Sequence, residues 1–155
     1  MRHATSIHSL LIPLQWQTLL LPNAAVAEII PYGEVRAVGD APDWYLGLMS
    51  WRNVELPLIS IDQLLQREST IPGPQTRIVV LNALGGRSKM LFYAIVSHGI
   101  PHLVQVTLNN VVAIGPPVAS ATIASLPVTV NGEEAAMPDI AALEDVVYGE
   151  FVAAA

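Results

Sequence analysis

The chain has 155 residues, 52% of them hydrophobic and 13% charged, against roughly a quarter charged in an ordinary globular domain. A chain this apolar is not disordered, and seven Lys and Arg against 13 Asp and Glu, a formal charge of −6, exclude binding of nucleic acid through clustered basic residues and docking on anionic lipid. Cysteine is absent, so disulfides, thiolate zinc sites and cysteine nucleophiles are excluded as well.

Charge this sparse predicts apolar surface left over for a partner. The first residues imitate a signal peptide, with Met1-Arg2-His3, an apolar stretch from Leu10 to Leu21 and the small residues Ala25-Val26-Ala27. Pro13, Gln15, Gln17 and Thr18 interrupt that stretch, and no run approaches the roughly 18 apolar residues of a membrane span. A cytoplasmic location is the expectation.

In chain order, Pro and Gly divide the sequence into short apolar runs, the punctuation of β structure. Strands are predicted at Leu10–Leu14 and Leu19–Leu21, turning at Gln15-Trp16-Gln17, then at Glu28–Pro31, Gly47–Trp51 and Val54–Ser60. One or two helical turns follow at Ile61–Gln66, and Glu68–Gln75, with Pro72-Gly73-Pro74, reads as a linker. Further strands are predicted at Arg77–Leu81, Lys89–Val96, His102–Val106 and Asn110–Ile114, with a hairpin at Gly85-Gly86. A Pro-punctuated segment runs from Gly115 to Pro127. Val128–Val130 and Glu133–Ala136 flank Asn131-Gly132, a strong hairpin signal. A helix over Asp139–Val147 places Ile140, Leu143 and Val147 on one face.

The two halves resemble each other. Glu55, Leu58, Ser60, Ile61 and Leu64 recur as Glu134, Met137, Asp139, Ile140 and Leu143, and Leu21, Val26, Ile29 and Ile30 as Ile95, Ile100, Leu103 and Val104. Either apolar strands look alike by chance, or two small β units arose by pseudo-duplication. Strands this short favour small barrels over a broad open sheet.

Catalytic chemistry is hard to assemble. Leu84-Gly85-Gly86-Arg87-Ser88-Lys89 lacks the order and the following helix of a phosphate loop and reads as a turn with no amide cradle. His98 and His102 are separated by Gly99, Ile100 and Pro101, have no carboxylate nearby, and read as one surface and one half-buried imidazole. Glu133-Glu134 and Glu144-Asp145 read as solvated pairs rather than an acid and base in a cleft. No Gly-x-Ser-x-Gly elbow presents a nucleophile. No catalytic, cofactor-binding or metal-ligating residue is nominated.

Two charges interrupt apolar runs, Glu28 in Val26-Ala27-Glu28-Ile29-Ile30 and Arg52 after Gly47-Leu48-Met49-Ser50-Trp51. Each is expected to be partly buried. Either they pair, or one answers a charge on a partner, or each reaches water separately with its apolar stem covered.

Leu20-Leu21-Pro22, Val26-x-Glu28-Ile29, Tyr45 to Asn53 and Leu56-Pro57-Leu58-Ile59-Ser60-Ile61 together resemble the CheW-like adaptor family of bacterial chemosensory signalling. The likeness continues more loosely through Arg77–Val106 and Val130–Leu143. Departures from the family pattern are Ser50, Trp51, Asn53, Ser60 and Ser97, where the family carries Asn, Leu, Gly, Asp and Asp. Loss of that Gly puts the tight turn after Arg52 in question, although Asn tolerates a left-handed backbone.

The resemblance implies a mostly β fold: two small SH3-like five-stranded β-barrel subdomains packed together with a few short helices. It implies one domain, with subdomains at about 14–75 and 76–136 and the N-terminal strand and C-terminal helix packing across them. It implies no catalysis and no cofactor. The implied partners are the regulatory domain of a CheA-type histidine kinase and the coiled-coil cytoplasmic tip of a methyl-accepting chemoreceptor, without nucleic acid or membrane insertion. The nominated partner-binding residues are Val26, Glu28, Ile29, Gly47, Met49, Trp51 and Arg52. Surplus apolar surface is expected on Glu28–Pro31 and Gly47–Trp51 and in the groove between the two barrels. Within the family, Phe92–Pro101 and Met137–Glu144 are similar to the branch serving type IV pilus twitching motility. The competing possibility is a barrel for a small apolar ligand, with Trp16, Trp44 and Trp51 lining its cavity.

Overall fold

A computed structural model describes residues 6–65, 67–68, 72–119 and 123–153. Parts of the signal-like N-terminal stretch, of the 61–66 helical turns, of the 68–75 linker and of the 115–127 segment lie outside the described residues. The strands are β1 (Ser6–Pro13), β2 (Thr18–Pro22), β3 (Val26–Pro31), β4 (Tyr45–Trp51), β5 (Val54–Ile59), β6 (Arg77–Asn82), β7 (Phe92–Ser97), β8 (His102–Thr107), β9 (Val111–Ala113), β10 (Val118–Ala119), β11 (Ala124–Val130) and β12 (Glu133–Pro138). Helix α1 spans Ile61–Leu64 and α2 spans Ile140–Ala153.

The fold is mostly β, as expected, in two sheets. One is five-stranded, in the order β3-β6-β7-β5-β4, and the other seven-stranded, in the order β10-β11-β12-β2-β1-β8 with β9 also on β11. The structure differs from that expectation at two points. The second sheet exceeds five strands because the 111–119 segment supplies two short extra ones. Pairing also crosses residue 75: β6 and β7 complete the sheet of β3, β4 and β5, whereas β2 belongs to the other sheet.

The order β3-β6-β7-β5-β4 repeats as β8-β1-β2-β12-β11, with the same strand directions at each step. The parallel pair β5·β7 is matched by the parallel pair β12·β2, and every other pair is antiparallel. The equivalences are those of the sequence repeat. Leu58 beside Ala94 corresponds to the β12 segment beside Leu19. Ser60 accepts from the Gln63 amide at 3.3 Å to cap α1, and Asp139 accepts from the Ala142 amide at 3.1 Å to cap α2. Chance resemblance does not give one topology and one capping geometry twice, so the pseudo-duplication is structural.

Alternation along the strands explains the apolar composition. Leu10, Ile12, Leu19, Leu21, Val79, Leu81, Tyr93 and Ile95 face a core shared by both sheets and α2. Between them, Leu56, Leu58, Ile78, Val80 and Ala94 face a second core inside the five-stranded sheet. Leu11, Leu20, Val128 and Val130 face a third inside the seven-stranded one. Strands buried on both faces need continuous apolar runs. Much of the surplus is therefore interior, not partner surface. The exposed apolar residues also lie elsewhere than expected, with Leu103 69%, Leu108 93% and Val112 55% exposed on or near the seven-stranded sheet. Of the nominated strand residues only Ile29, at 38%, joins them.

Helix α2 runs past the predicted end to Ala153, with Leu143 and Val147 buried as its face predicts. Strand β7 starts at Phe92 instead of Lys89, because residues 83–91 form a loop that drops Met90 into the shared core. No helix among the described residues is long and apolar enough to cross a membrane.

Candidate functional site

Strands β3 and β4 are the two ends of the five-stranded order. Side chains join them. Glu28 on β3 accepts the Trp51 indole N–H at 2.7 Å and an Arg52 guanidinium N–H at 3.2 Å, both on Oε1. Trp51 is buried and packs edge-on against Phe92 with centroids 4.9 Å apart. The Arg52 guanidinium lies over the Trp51 ring at 4.7 Å.

The pairing of Glu28 with Arg52 is thus present, and it is wetter than expected, since the Arg52 side chain is 67% exposed. Arg52 follows the last residue of β4, where a turn lifts it off the sheet. A pair this exposed contributes at most about 1 kcal/mol. A stacked cation adds a similar amount, about 0.5–1 kcal/mol at an exposed site.

Trp51 pairs with Val54 across a two-residue loop, with φ of 48° at Arg52 and 63° at Asn53. Both residues are left-handed, the type I′ geometry that favours Asn-Gly. The tight turn survives loss of the glycine because Asn53 tolerates that conformation. Arg52 has no such tolerance, and a left-handed backbone costs it about 1–2 kcal/mol.

The other nominated residues are dispersed. Ile29 is exposed beside Glu28, while Val26 is half-buried against the shared core. Met49 points into the core of the five-stranded sheet. Gly47 has φ of 144°, and a Cβ there would overlap the Arg36 carbonyl, so it serves the close approach of residues 36–37 to β4. Glu28, Trp51 and Arg52 form one cluster, flanked by Ile29; Met49 shares the core that Trp51 fills, while Gly47 and Val26 lie apart from it.

The three tryptophans do not share a cavity. Trp51 fills a core, Trp44 packs on Tyr45, and Trp16 is exposed with its indole N–H donated to the Glu68 carbonyl at 2.8 Å. His98 and His102 are both exposed, so neither is the half-buried imidazole expected.

Glu144 also departs from expectation. It is buried, and accepts from the Leu84 amide at 2.6 Å and the Gly85 amide at 2.7 Å. Arg87 reaches Glu144 at 3.5 Å, bonds Asp145 and lies 4.5 Å over the Tyr148 ring. The 84–89 turn does form an amide cradle, and the chain's own carboxylate occupies it. Gly85 admits that carboxylate, since a Cβ there would overlap Glu144 Oε2.

The family departures Ser60 and Ser97 have structural work. Ser60 caps α1, and Ser97 is buried with its hydroxyl directed to the Pro13 and Gly99 carbonyls. In the shared core, the Tyr45 and Tyr93 hydroxyls have no hydrogen-bond partner among the described residues. Burial, with Glu150 and Glu55 adding to it, pushes the Tyr45 phenol up to about 12. Burial, reinforced by Glu144, raises Tyr93 as well.

No curated protein sequence matches the chain. Among solved structures it is similar to the scaffolding protein TtCheW from Thermoanaerobacter tengcongensis, at 13% sequence identity and a TM-score of 0.72, over 87% of this chain and 90% of that one. Identity this low speaks to the fold alone. A family model for the CheW-like domain matches residues 8–145. The chain belongs to the CheW-like domain family.

Proposed function

We propose that the chain is a non-catalytic cytoplasmic adaptor that couples the cytoplasmic tip of a methyl-accepting chemoreceptor to the regulatory domain of a CheA-type histidine kinase. The observation that carries this reading is Arg52. Its charge is exposed on a strained turn, held in place by Trp51 and Glu28, and neither its backbone nor its ion pair gives the fold much in return. Backbone strain of this kind clusters at functional sites. Trp and Arg are also the residue types that dominate binding hot spots. Val26, Glu28, Ile29, Gly47, Met49, Trp51 and Arg52 form or support the contact in this reading.

We further assign the adaptor to a chemosensory system controlling type IV pilus twitching motility, because Phe92–Pro101 and Met137–Glu144 are similar to ChpC-type adaptors. Two assays separate the claims. Titration of the purified chain with the cognate regulatory domain and a receptor-tip fragment should give binding to both at low salt. Arg52→Glu should weaken it at least about tenfold, the loss expected when one partner of an interfacial charge pair is reversed. Absence of binding, together with indifference to Arg52→Glu, overturns the adaptor reading. Deletion of the chain should abolish twitching zones; normal zones would overturn the pilus assignment alone.

A further inference from the structure

The two sheets differ at one edge. In antiparallel β4·β5, Leu48 lies opposite Pro57, which has no N–H to donate. The Leu48 N–H and C=O accordingly turn outward, bonding the Arg36 carbonyl at 2.9 Å and amide at 2.8 Å. Two residues along, the same alternation turns the Ser50 N–H and C=O to that edge. There the ladder stops. Arg36↔Leu48 is an isolated bridge, and among the described residues neither outward group of Ser50 has a partner.

A cleft of ≈ 550 Å³ opens at this point. Val35, Leu48 and Met49 supply its apolar lining, and Glu34, Arg36 and Glu55 its charges, one negative in sum.

The second sheet shows what fills the equivalent place. Pro127, the counterpart of Leu48, accepts from the Ile114 amide at 3.0 Å. Thr129, the counterpart of Ser50, pairs with Val112 of β9, a three-residue antiparallel strand. In the first sheet no described strand takes that place, and its space is a cleft.

We infer that the β4 edge at Ser50 receives an extended segment of the kinase regulatory domain, added antiparallel to β4 as β9 is added to β11. This rests on the proposed adaptor function. Between the two partners, a coiled-coil receptor tip has its backbone groups bonded within its own helices, so only the regulatory domain can offer a strand. Main-chain bonds give such an addition its affinity, and alternate side chains give it specificity. The segment should carry small apolar or β-branched residues and one basic residue to meet the excess carboxylate. Ser50 is two residues from Arg52, so strand and arginine belong to one continuous contact.

Ser50→Pro deletes the outward N–H, at an edge where proline is tolerated. Its unfolding midpoint should stay near the wild-type value while affinity for the regulatory domain falls at least about tenfold, one ladder bond plus the ring's bulk. In the wild-type complex, hydrogen exchange at the Ser50 amide should slow, a readout that stands even if the proline variant fails to fold. Undiminished affinity of a folded Ser50→Pro, or an unprotected Ser50 amide in the complex, overturns the strand addition and leaves the adaptor reading intact. Protection by the receptor-tip fragment instead also overturns it. A wild-type chain that does not bind the regulatory domain removes both.

Discussion

The five- and seven-stranded sheets are built on one plan and finished differently. The turn Arg52-Asn53 in the first is the counterpart of Asn131-Gly132 in the second. Both loops are two residues long with positive φ throughout, 48° and 63° in one and 52° and 83° in the other. Asn-Gly is what this backbone asks for; Arg-Asn is not. Where Glu28 reaches Arg52 in the first sheet, the second has His102 and Asn131 at the matching positions, with no ion pair between them. The edge of β11 is covered by β9 and β10, while that of β4 is held by one bridge. One half of the molecule satisfies its local rules, and the other departs from them at a turn, an edge and an exposed charge, all within three residues of Ser50.

That contrast can be broken in several places. The largest effect should come from the helices. At the position of buried Glu144 in α2, the first half has Leu65 after α1. Glu144→Ala strands the Leu84 and Gly85 amides and leaves Arg87 with Asp145 alone, a loss of about 2–5 kcal/mol by urea denaturation.

Next comes the core that joins the sheets. Tyr45 and Tyr93 titrate higher in the fold than in the unfolded chain, Tyr45 at about 12 against 10.0. Their contribution is complete below pH 10 and is lost as pH rises toward 12. Denaturation there should show stability falling by about 1.4 kcal/mol per pH unit for each tyrosine. Tyr45→Phe should flatten the slope.

The smallest effect is the sharpest. Arg52→Asn relieves the left-handed strain but forfeits a weak ion pair and the stack on Trp51, so stability should change by no more than about 1 kcal/mol. Asn131→Arg in the matching turn should cost about 1 kcal/mol. Equal responses would mean that the two turns are not different after all.

Much of this fold was legible. Asn131-Gly132 named its hairpin outright, and Leu143 and Val147 named the buried face of α2. Repeated residues such as Ser60 and Asp139 pointed to the two capped helices. The exchange of β6 and β7 between halves was not legible, because strand pairing at long range leaves no local mark when every strand is apolar on both faces. Glu144 was misread for a related reason. A carboxylate on a helix surface is solvated unless something distant in sequence covers it, and the 84–89 turn does. The Glu28–Arg52 pair of the candidate site was legible in its charges, which stood out against apolar neighbours. The Ser50 edge was hidden until Pro57 and Arg36 were seen to orient β4.

If the proposed function holds, Arg52, held by Glu28 and stacked on the buried Trp51, serves a partner more than the fold. Arg52→Asn tests it in one titration, affinity for the kinase regulatory domain measured on a variant whose unfolding free energy is known. Affinity reduced at least about tenfold with stability changed by no more than about 1 kcal/mol is the predicted result. Wild-type affinity in the stable variant would contradict it.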